Sequence, residues 1–485
     1  MTLQLAQETG GAGKNDGGRA AFVLGAMGAV YLAAEALGYH INAVVLAIVV
    51  MIALCLLRVP VAIAMIVAAL LGGLHAGLSV PEASAALNDN LLVGAQVGMT
   101  YVMIGAFAVA LSRSGLLELL AAKISARLGT DAAATGRGVK WTLFGLFIAA
   151  SIMSQNAVPV HIAFIPVLIP PLLGVMNRLR LDRRVVACIL ACSISASYQL
   201  LPMGFGAIFL NEILLVNANQ VGNPLGLTVT AEMMPKAMLL PVMGILLGMV
   251  VAIFVTYRKP RDYRMTALAA EKAGPAVPVI RPLQLVATFV AIATAIWCQL
   301  AFENLLLGAM LGFLILAAAG VFRWSEQDDV FTQGLRMMAQ IAVIITIASG
   351  FAGLLTATGE VAPLVEASAA LIGDNRALGA ALMLLVGLFI TIGFGDAFAS
   401  VPILAPIYVP LCLALGFSPL ATVALLGASA ALGDAGSPAS TITLGATAGL
   451  NADGQHDHIK DSVIPTFLHA NIGMVICAWI AAMVL

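Results

Sequence analysis

Long apolar stretches alternate with short polar connections along almost the whole chain. At about 20 apolar residues per membrane crossing, the pattern predicts eleven helices. They lie near residues 21–38, 41–57, 59–77, 91–112, 184–215, 236–257, 282–301, 304–322, 333–358, 418–450 and 463–485. Two further regions, about 140–176 and 377–414, are too long for one helix and too polar in their middles to cross straight through. Each predicts a pair of half-depth helices, a re-entrant hairpin with its polar tip at depth. Residues 1–20 form a polar, glycine-rich tail. The apolar run 21–40 lacks a cleavage site followed by a soluble mature chain, so it reads as an extra N-terminal span rather than a removed signal. The expected fold class is therefore all-α and polytopic.

The chain also repeats itself. FAVALSRSG, residues 107–115, resembles FAGLLTATG, residues 351–359, at an offset of 244. Asn156, Pro166 and Pro170 match Asp396, Pro406 and Pro410 at 240, and Ser193 and Pro202 match Ser429 and Pro438 at 236. The expected organisation is a first repeat over 41–257, a cytoplasmic linker over 258–281 and a second repeat over 282–485. An odd number of spans separates the copies, so they lie upside down relative to each other. Inverted repeats with Gly- or Pro-interrupted segments at matching positions are the sequence mark of a secondary transporter's binding site.

Composition agrees with a membrane protein: 61% of residues are hydrophobic and 10% charged, against about 25% charged in soluble domains. The net charge of −1 gives no footprint for nucleic acid. The six cysteines lie in apolar runs without CxxC spacing and read as small buried hydrophobes. Loops carrying Arg113, Lys123, Arg127, Arg137 and Lys140, then Arg178 to Arg184, then Arg258 to Arg264, fall on one side by the span count. The positive-inside rule makes that side the cytoplasm, which puts the N-terminus there too. The location expected is the cytoplasmic membrane, with the first hairpin entering from inside and the second from outside.

Non-helical backbone at bilayer depth is tolerated only where protein or a wet cavity satisfies it. Four such places occur, paired by the repeat. Two are hairpin tips, 151–157 (SIMSQNA) and 393–400 (GFGDAFAS); two are breaks in long spans, 197–206 (SYQLLPMGFG) and 433–441 (GDAGSPAST). Freed carbonyls with a few hydroxyl and carboxylate oxygens suit Na⁺, and helix N-termini beside them suit a substrate carboxylate. Asp396 and Asp434 are the most informative residues, because an intramembrane carboxylate costs about 2.5–3.5 kcal/mol even on a lenient scale. Each is expected to face a cavity and to exchange a proton for a cation; Asp396 also has the position of a helix cap. Ser154, Asn156 and the carbonyls near Gly204 and Gly436 would complete cation coordination. Gln155, His161, Ser400, Ser437 and Thr441 are the candidates for touching a substrate, and His161 equally suits a packing role. Tyr198 and Gln199 could cap freed backbone or touch substrate. His456 and His458 read as a solvated turn rather than a metal site. GFGD fits the GxGD pattern of intramembrane aspartyl proteases, with Asp434 as a second carboxylate. A protease needs neither an inverted duplication nor matching breaks, so a non-enzymatic reading is preferred.

The hairpin SQNAVPVHIAFIPVLIPPL, the following LDRRVVAC and the broken span LLPMGFGAIFLNEIL resemble the NhaC-like Na⁺/H⁺ antiporters, particularly the branch that includes histidine permeases. The resemblance implies the ion transporter superfamily architecture, in which a scaffold holds a mobile domain carrying both hairpins, in a homodimer moving by an elevator mechanism. Better understood members carry Ser-Asn-Thr at each tip. Here the tips read Ser154-Gln155-Asn156-Ala157 and Phe394-Gly395-Asp396-Ala397, and the added negative charge favours a cation, a proton or an amino acid over a dicarboxylate. The expected function is Na⁺/H⁺ antiport by alternating access, with Na⁺ or H⁺ as coupling ion and no other cofactor. The alternative is ion-coupled uptake of an amino acid such as histidine.

Overall fold

The computed structural model describes residues 38–57, 59–116, 137–156, 168–264, 281–302, 304–373 and 375–485, with a few isolated positions besides. The tail 1–20, most of the first expected span, His161 and most of the linker lie outside the described residues. The first repeat region holds α1 (Ala43–Leu56), α2 (Val61–His75), α3 (Val80–Asp89), α4 (Leu91–Ser112) and α5 (Arg137–Asn156). After them come α6 (Leu173–Arg178), α7 (Arg183–Leu200), α8 (Phe205–Leu225) and α9 (Met233–Thr256). The second region holds α10 (Pro282–Phe302), α11 (Leu305–Ala318), α12 (Gln327–Ala357), α13 (Val361–Ile372) and α14 (Arg376–Phe394). It ends with α15 (Ala397–Ala414), α16 (Pro419–Ala431), α17 (Thr441–Leu450) and α18 (His458–Val484). Among the described residues six helices are long and apolar enough to cross a membrane, and the pair α7 and α8, bent by 58°, makes a seventh. Each expected span from 41–57 onward is helical. The short helices α3 and α13 are additions, since their length and mixed polarity give no spanning signal.

The long helices α4 and α12 run antiparallel along each other. Gly94 lies against the carbonyl of Ile345, Gly98 against that of Ala342 and Gly105 against that of Gly334. A Cβ at Gly105 would come within 2.5 Å of Gly334, so the absence of side chains lets the two backbones touch. The repeat offset of 244 makes Gly98 and Ala342 equivalent positions. Equivalent residues of antiparallel helices meet only where a two-fold axis passes between them, perpendicular to both, which is the geometry an inverted duplication imposes. The flanking hairpins follow the same rule. Gly312 of α11 lies beneath Phe107 of α4, and Phe351 of α12, the repeat mate of Phe107, shares an apolar cluster with Ala68 and Ala69 of α2.

The second expected hairpin is antiparallel, but its arms are longer than half depth. They contain 19 and 18 residues, about 28 Å each at 1.5 Å per residue. Arg376 Nε donates to the carbonyl of Leu415 at 2.9 Å, which ties the two ends together. Tyr408 donates its hydroxyl to the carbonyl of Met383 partway along. Pro402, Pro406 and Pro410 lie inside α15 without ending it. Spaced by one turn, they leave their freed carbonyls on one stripe of a helix that is largely buried in protein, where lost backbone bonds can be met by neighbours. For the first hairpin the structure describes the entering arm α5 and the exit from residue 168.

At one end of the molecule the loops 177–184, 258–264 and 451–461 are fastened together. Arg183, its side chain fully buried, binds both carboxylate oxygens of Asp453 at 2.6 and 2.5 Å, and also the carbonyl of Leu450 and Asn177 Oδ1. Arg261 reaches Asp461 at 2.8 Å, and Arg184 pairs with Asp182. Two of the basic loops expected on one side thus share that end.

Candidate functional site

Each hairpin tip rests on the break of its own repeat. In the first half α5 is described as far as Asn156, and the chain between α7 and α8 turns through Gly204 at φ +58°. A Cβ there would lie 2.6 Å from the carbonyl oxygen of Gln155 and 2.7 Å from that of Asn156. In the second half the glycine has moved to the tip. Gly395, at φ +60°, ends α14, and a Cβ on it would lie 2.7 Å from the backbone nitrogen of Ser440 in the break between α16 and α17. By the repeat offsets Gly204 corresponds to Ser440 and Gln155 to Gly395. The same tip-to-break contact is therefore built twice, with the small residue on opposite partners.

The two copies close around one small cavity. Asp396 comes from the second tip and Asp434 from the second break, with Gln155 from the first tip and Thr441 from the start of α17. The remaining wall is largely aromatic: Tyr101 of α4, Tyr198 of α7, Phe205 of α8 and Phe398 of α15. Their rings pack 5.3 to 5.5 Å apart, Tyr101 on Phe205 and Phe398, and Tyr198 on Phe398.

Asp396 does two things at once. Its Oδ1 accepts from the backbone N–H groups of Phe398 at 2.8 Å and Ala399 at 3.2 Å, capping α15, while the carboxylate lines the cavity. Asp434 accepts a short hydrogen bond from the hydroxyl of Tyr198, whose position is supported by Gln199 Nε2 at 3.4 Å. Tyr198 and Asp434 are equivalent at the offset of 236, so this bond too joins repeat mates across the two-fold. Among the described residues no Lys or Arg pairs with either carboxylate. Two buried carboxylates without a basic partner are costly as bare charges, so each is held with a proton or with a positive charge beside it.

The other sequence-predicted residues divide into two groups. Asn156 and Gly204 line a neighbouring cavity with Gln299 of α10, where among the described residues no donor meets the buried Asn156 Oδ1 and Gln299 Oε1. Ser154, Ser400, Ser437 and Gly436 brace the backbone. Ser154 donates to the carbonyl of Ser151 at 2.8 Å, Ser400 to that of Asp396 at 2.5 Å and Ser437 to that of Ile392 at 2.8 Å. Gly436 packs against Phe467 and Asn471 of α18. Sequence reasoning missed Tyr101, Phe205 and Phe398, since an aromatic in an apolar run looks like any core residue. Tyr198 could have been promoted by extending the 236 offset to Asp434.

The His456 and His458 loop is not a solvated turn. His456 is 2% exposed and bonds Ser462 at 2.8 Å; His458 bonds Thr447 at 2.8 Å and the carbonyl of Pro438, inside the second break, at 3.0 Å. Burial pushes the imidazole of His456 down to about 4, so it is neutral at physiological pH.

Comparison with known proteins adds a family. A sequence model described as the Na⁺/H⁺ antiporter family matches residues 193–481, and a second, the Na⁺-H⁺ antiporter family, matches residues 42–128. An uncharacterized membrane protein of Vibrio parahaemolyticus is 48% identical over 92% of this chain and 100% of its own length. A putative amino acid transporter of Bacillus subtilis, YuiF, is 44% identical over 92% of this chain and 100% of its own. Among solved structures, Neisseria gonorrhoeae MtrF, described as one of a class of antimetabolite efflux pumps, aligns with a TM-score of 0.58 at 17% identity. That alignment covers 87% of this chain and 94% of MtrF. The Alcanivorax borkumensis YdaH transporter aligns at 0.56 with 15% identity, covering 82% and 86%. At these identities the structures speak for the fold alone.

Proposed function

From the premise that the chain belongs to the Na⁺/H⁺ antiporter family, we propose that it exchanges Na⁺ for H⁺ across the cytoplasmic membrane, with Asp396 and Asp434 alternating between proton and Na⁺. The protein is a multi-pass membrane transporter and not an enzyme. The observation that carries the exchange reading is the pairing of two carboxylates, without a basic partner, in one buried cavity where both repeats meet. A carboxylate shut away from water must hold either a proton or a cation, and each arrival favours the other's departure. Tyr198 donates its hydroxyl to Asp434 and so fixes the orientation of that carboxylate in the cavity. Alternating access follows if the tips and breaks move together relative to α4 and α12, within a homodimer whose N-terminus is cytoplasmic. GFGD takes no protease role in this reading, since the family to which the chain belongs is one of membrane transporters.

One observation favours a second reading. Four aromatic rings around the carboxylates give little to Na⁺ that oxygen ligands would not give better. They add about 0.5–2 kcal/mol to a bound organic cation. Ion-coupled uptake of an amino acid, with its ammonium or a basic side chain against Asp396 or Asp434 and Thr441 and Gln155 contacting the rest, uses the same cavity. The putative amino acid transporter among the relatives points the same way. Proteoliposomes containing a pH-sensitive dye separate the two. Antiport predicts alkalinisation or acidification of the lumen on a Na⁺ pulse; if Na⁺ moves no protons while labelled histidine accumulates under an imposed gradient, the exchange reading is wrong.

A further inference from the structure

Glu212 is an acidic side chain that the central cavity does not use. It stands with Asn211 on a π-helical turn, Ile208–Leu214, within α8. A π turn admits an extra residue and re-aims the side chains around it, and such turns concentrate at functional sites. Both residues line a second cavity of about 970 Å³ that opens to the surroundings, with Gln96 and Thr100 of α4 and Asn304 before α11 on its other walls. Among the described residues no charged or donor group meets the carboxylate of Glu212, and Asn211 Oδ1 is buried without a donor.

The vestibule and the central cavity are lined by neighbouring residues of the same helices. Thr100 faces the vestibule and its neighbour Tyr101 faces the centre. Tyr101 packs on Phe205 and Phe398, and among the described residues its buried hydroxyl has no hydrogen-bond partner, though it lies in the field of Glu212, Asp396 and Asp434. An acidic group and an amide oxygen, both lacking donors and both in a cavity within the helical body, call for positive charge from outside the chain.

We propose that Glu212 and Asn211 form a second cation site, in the vestibule, that holds an alkali ion or the protonated amine of a small molecule before it passes Tyr101 to the central cavity. This rests on the central site taking a cation, as proposed above. A staging site of this kind raises the local concentration of its ligand without taking part in the exchange itself.

The test uses the full-length protein with Cys replacing the exposed Gln96 as a reporter. Labelling by a cationic thiosulfonate should outpace labelling by an anionic one by about fivefold or more, and the preference should fall to near unity in the Glu212→Gln background. An unchanged preference overturns the proposal. With Glu212 in place, NaCl should slow the labelling if the site takes an alkali ion, and ethylammonium chloride should do so if it takes an amine. If neither slows it beyond N-methylglucamine chloride at equal ionic strength, the site does not exist. This second measurement stands even if Glu212→Gln fails to fold. In transport, Glu212→Gln should raise KM for the cation about tenfold with Vmax within about twofold. Loss of transport in Asp434→Asn bears only on the central site, so the two ideas fail separately.

Discussion

Asp396 combines a structural and a chemical role that can be pulled apart by substitution. Asn is as good a helix N-cap as Asp, so Asp396→Asn keeps the bonds to Phe398 and Ala399 while removing the charge. Asp396→Ala removes both. The expected outcome is that Asn leaves thermal stability nearly unchanged yet abolishes cation-coupled flux in proteoliposomes. Ala also abolishes flux and lowers stability by about 1 kcal/mol. Normal transport by the Asn variant would reduce Asp396 to a cap. The Asp at the tip was legible in the sequence because charge is rare in an apolar run. Its aromatic neighbours were not, because ring position depends on how four separate helices converge.

At the level of elements, the tip-to-break contact depends on having no side chain on one of its two partners. Gly204→Ala would need a left-handed backbone and would drive a Cβ to 2.6 Å from the carbonyl of Gln155; Gly395→Ala meets Ser440 in the same way. Either change should push tip and break apart and cost at least about 1–3 kcal/mol in backbone strain alone. Transport should fall by more than the loss of folded protein explains. Gly226 offers the control: it is left-handed at φ +83° but has open space around it, so Gly226→Asn should be silent in both assays. Equal loss at Gly226 would mean that left-handed geometry, not the close approach, is what matters. The sequence placed the breaks well, since Pro, Gly and polar residues mark them. It overstated how shallow the second hairpin is, because a polar middle marks the tip but does not show how long each arm runs. It gave no sign that one repeat keeps the glycine in the break and the other in the tip, which is a property of the contact and not of either strand of sequence.

Across the whole molecule, the repeat pairs that meet on the two-fold, Gly98 with Ala342 and Tyr198 with Asp434, lie in the interior, whereas the fastening between halves lies at one end. Arg183 begins α7, which leads into the first break, and Asp453 follows α17, which leaves the second. Tyr263, after α9, covers the guanidinium at 4.3 Å. This buried pair joins the ends of the two broken helices, and the expectation is that it sets their separation as well as adding stability. Arg183→Met leaves Asp453 buried and uncompensated, which should cost about 3–5 kcal/mol and be visible as a large drop in Tm. Arg183→Met combined with Asp453→Leu replaces the pair by apolar contacts of similar size and should recover most of that loss. Transport is expected not to recover with it, because an apolar contact does not reproduce the fork of bonds that also holds Asn177 and Leu450. If flux in the double variant returns in step with Tm, the pair is only a staple, and the registration of the breaks must come from the interior bond between Tyr198 and Asp434 instead.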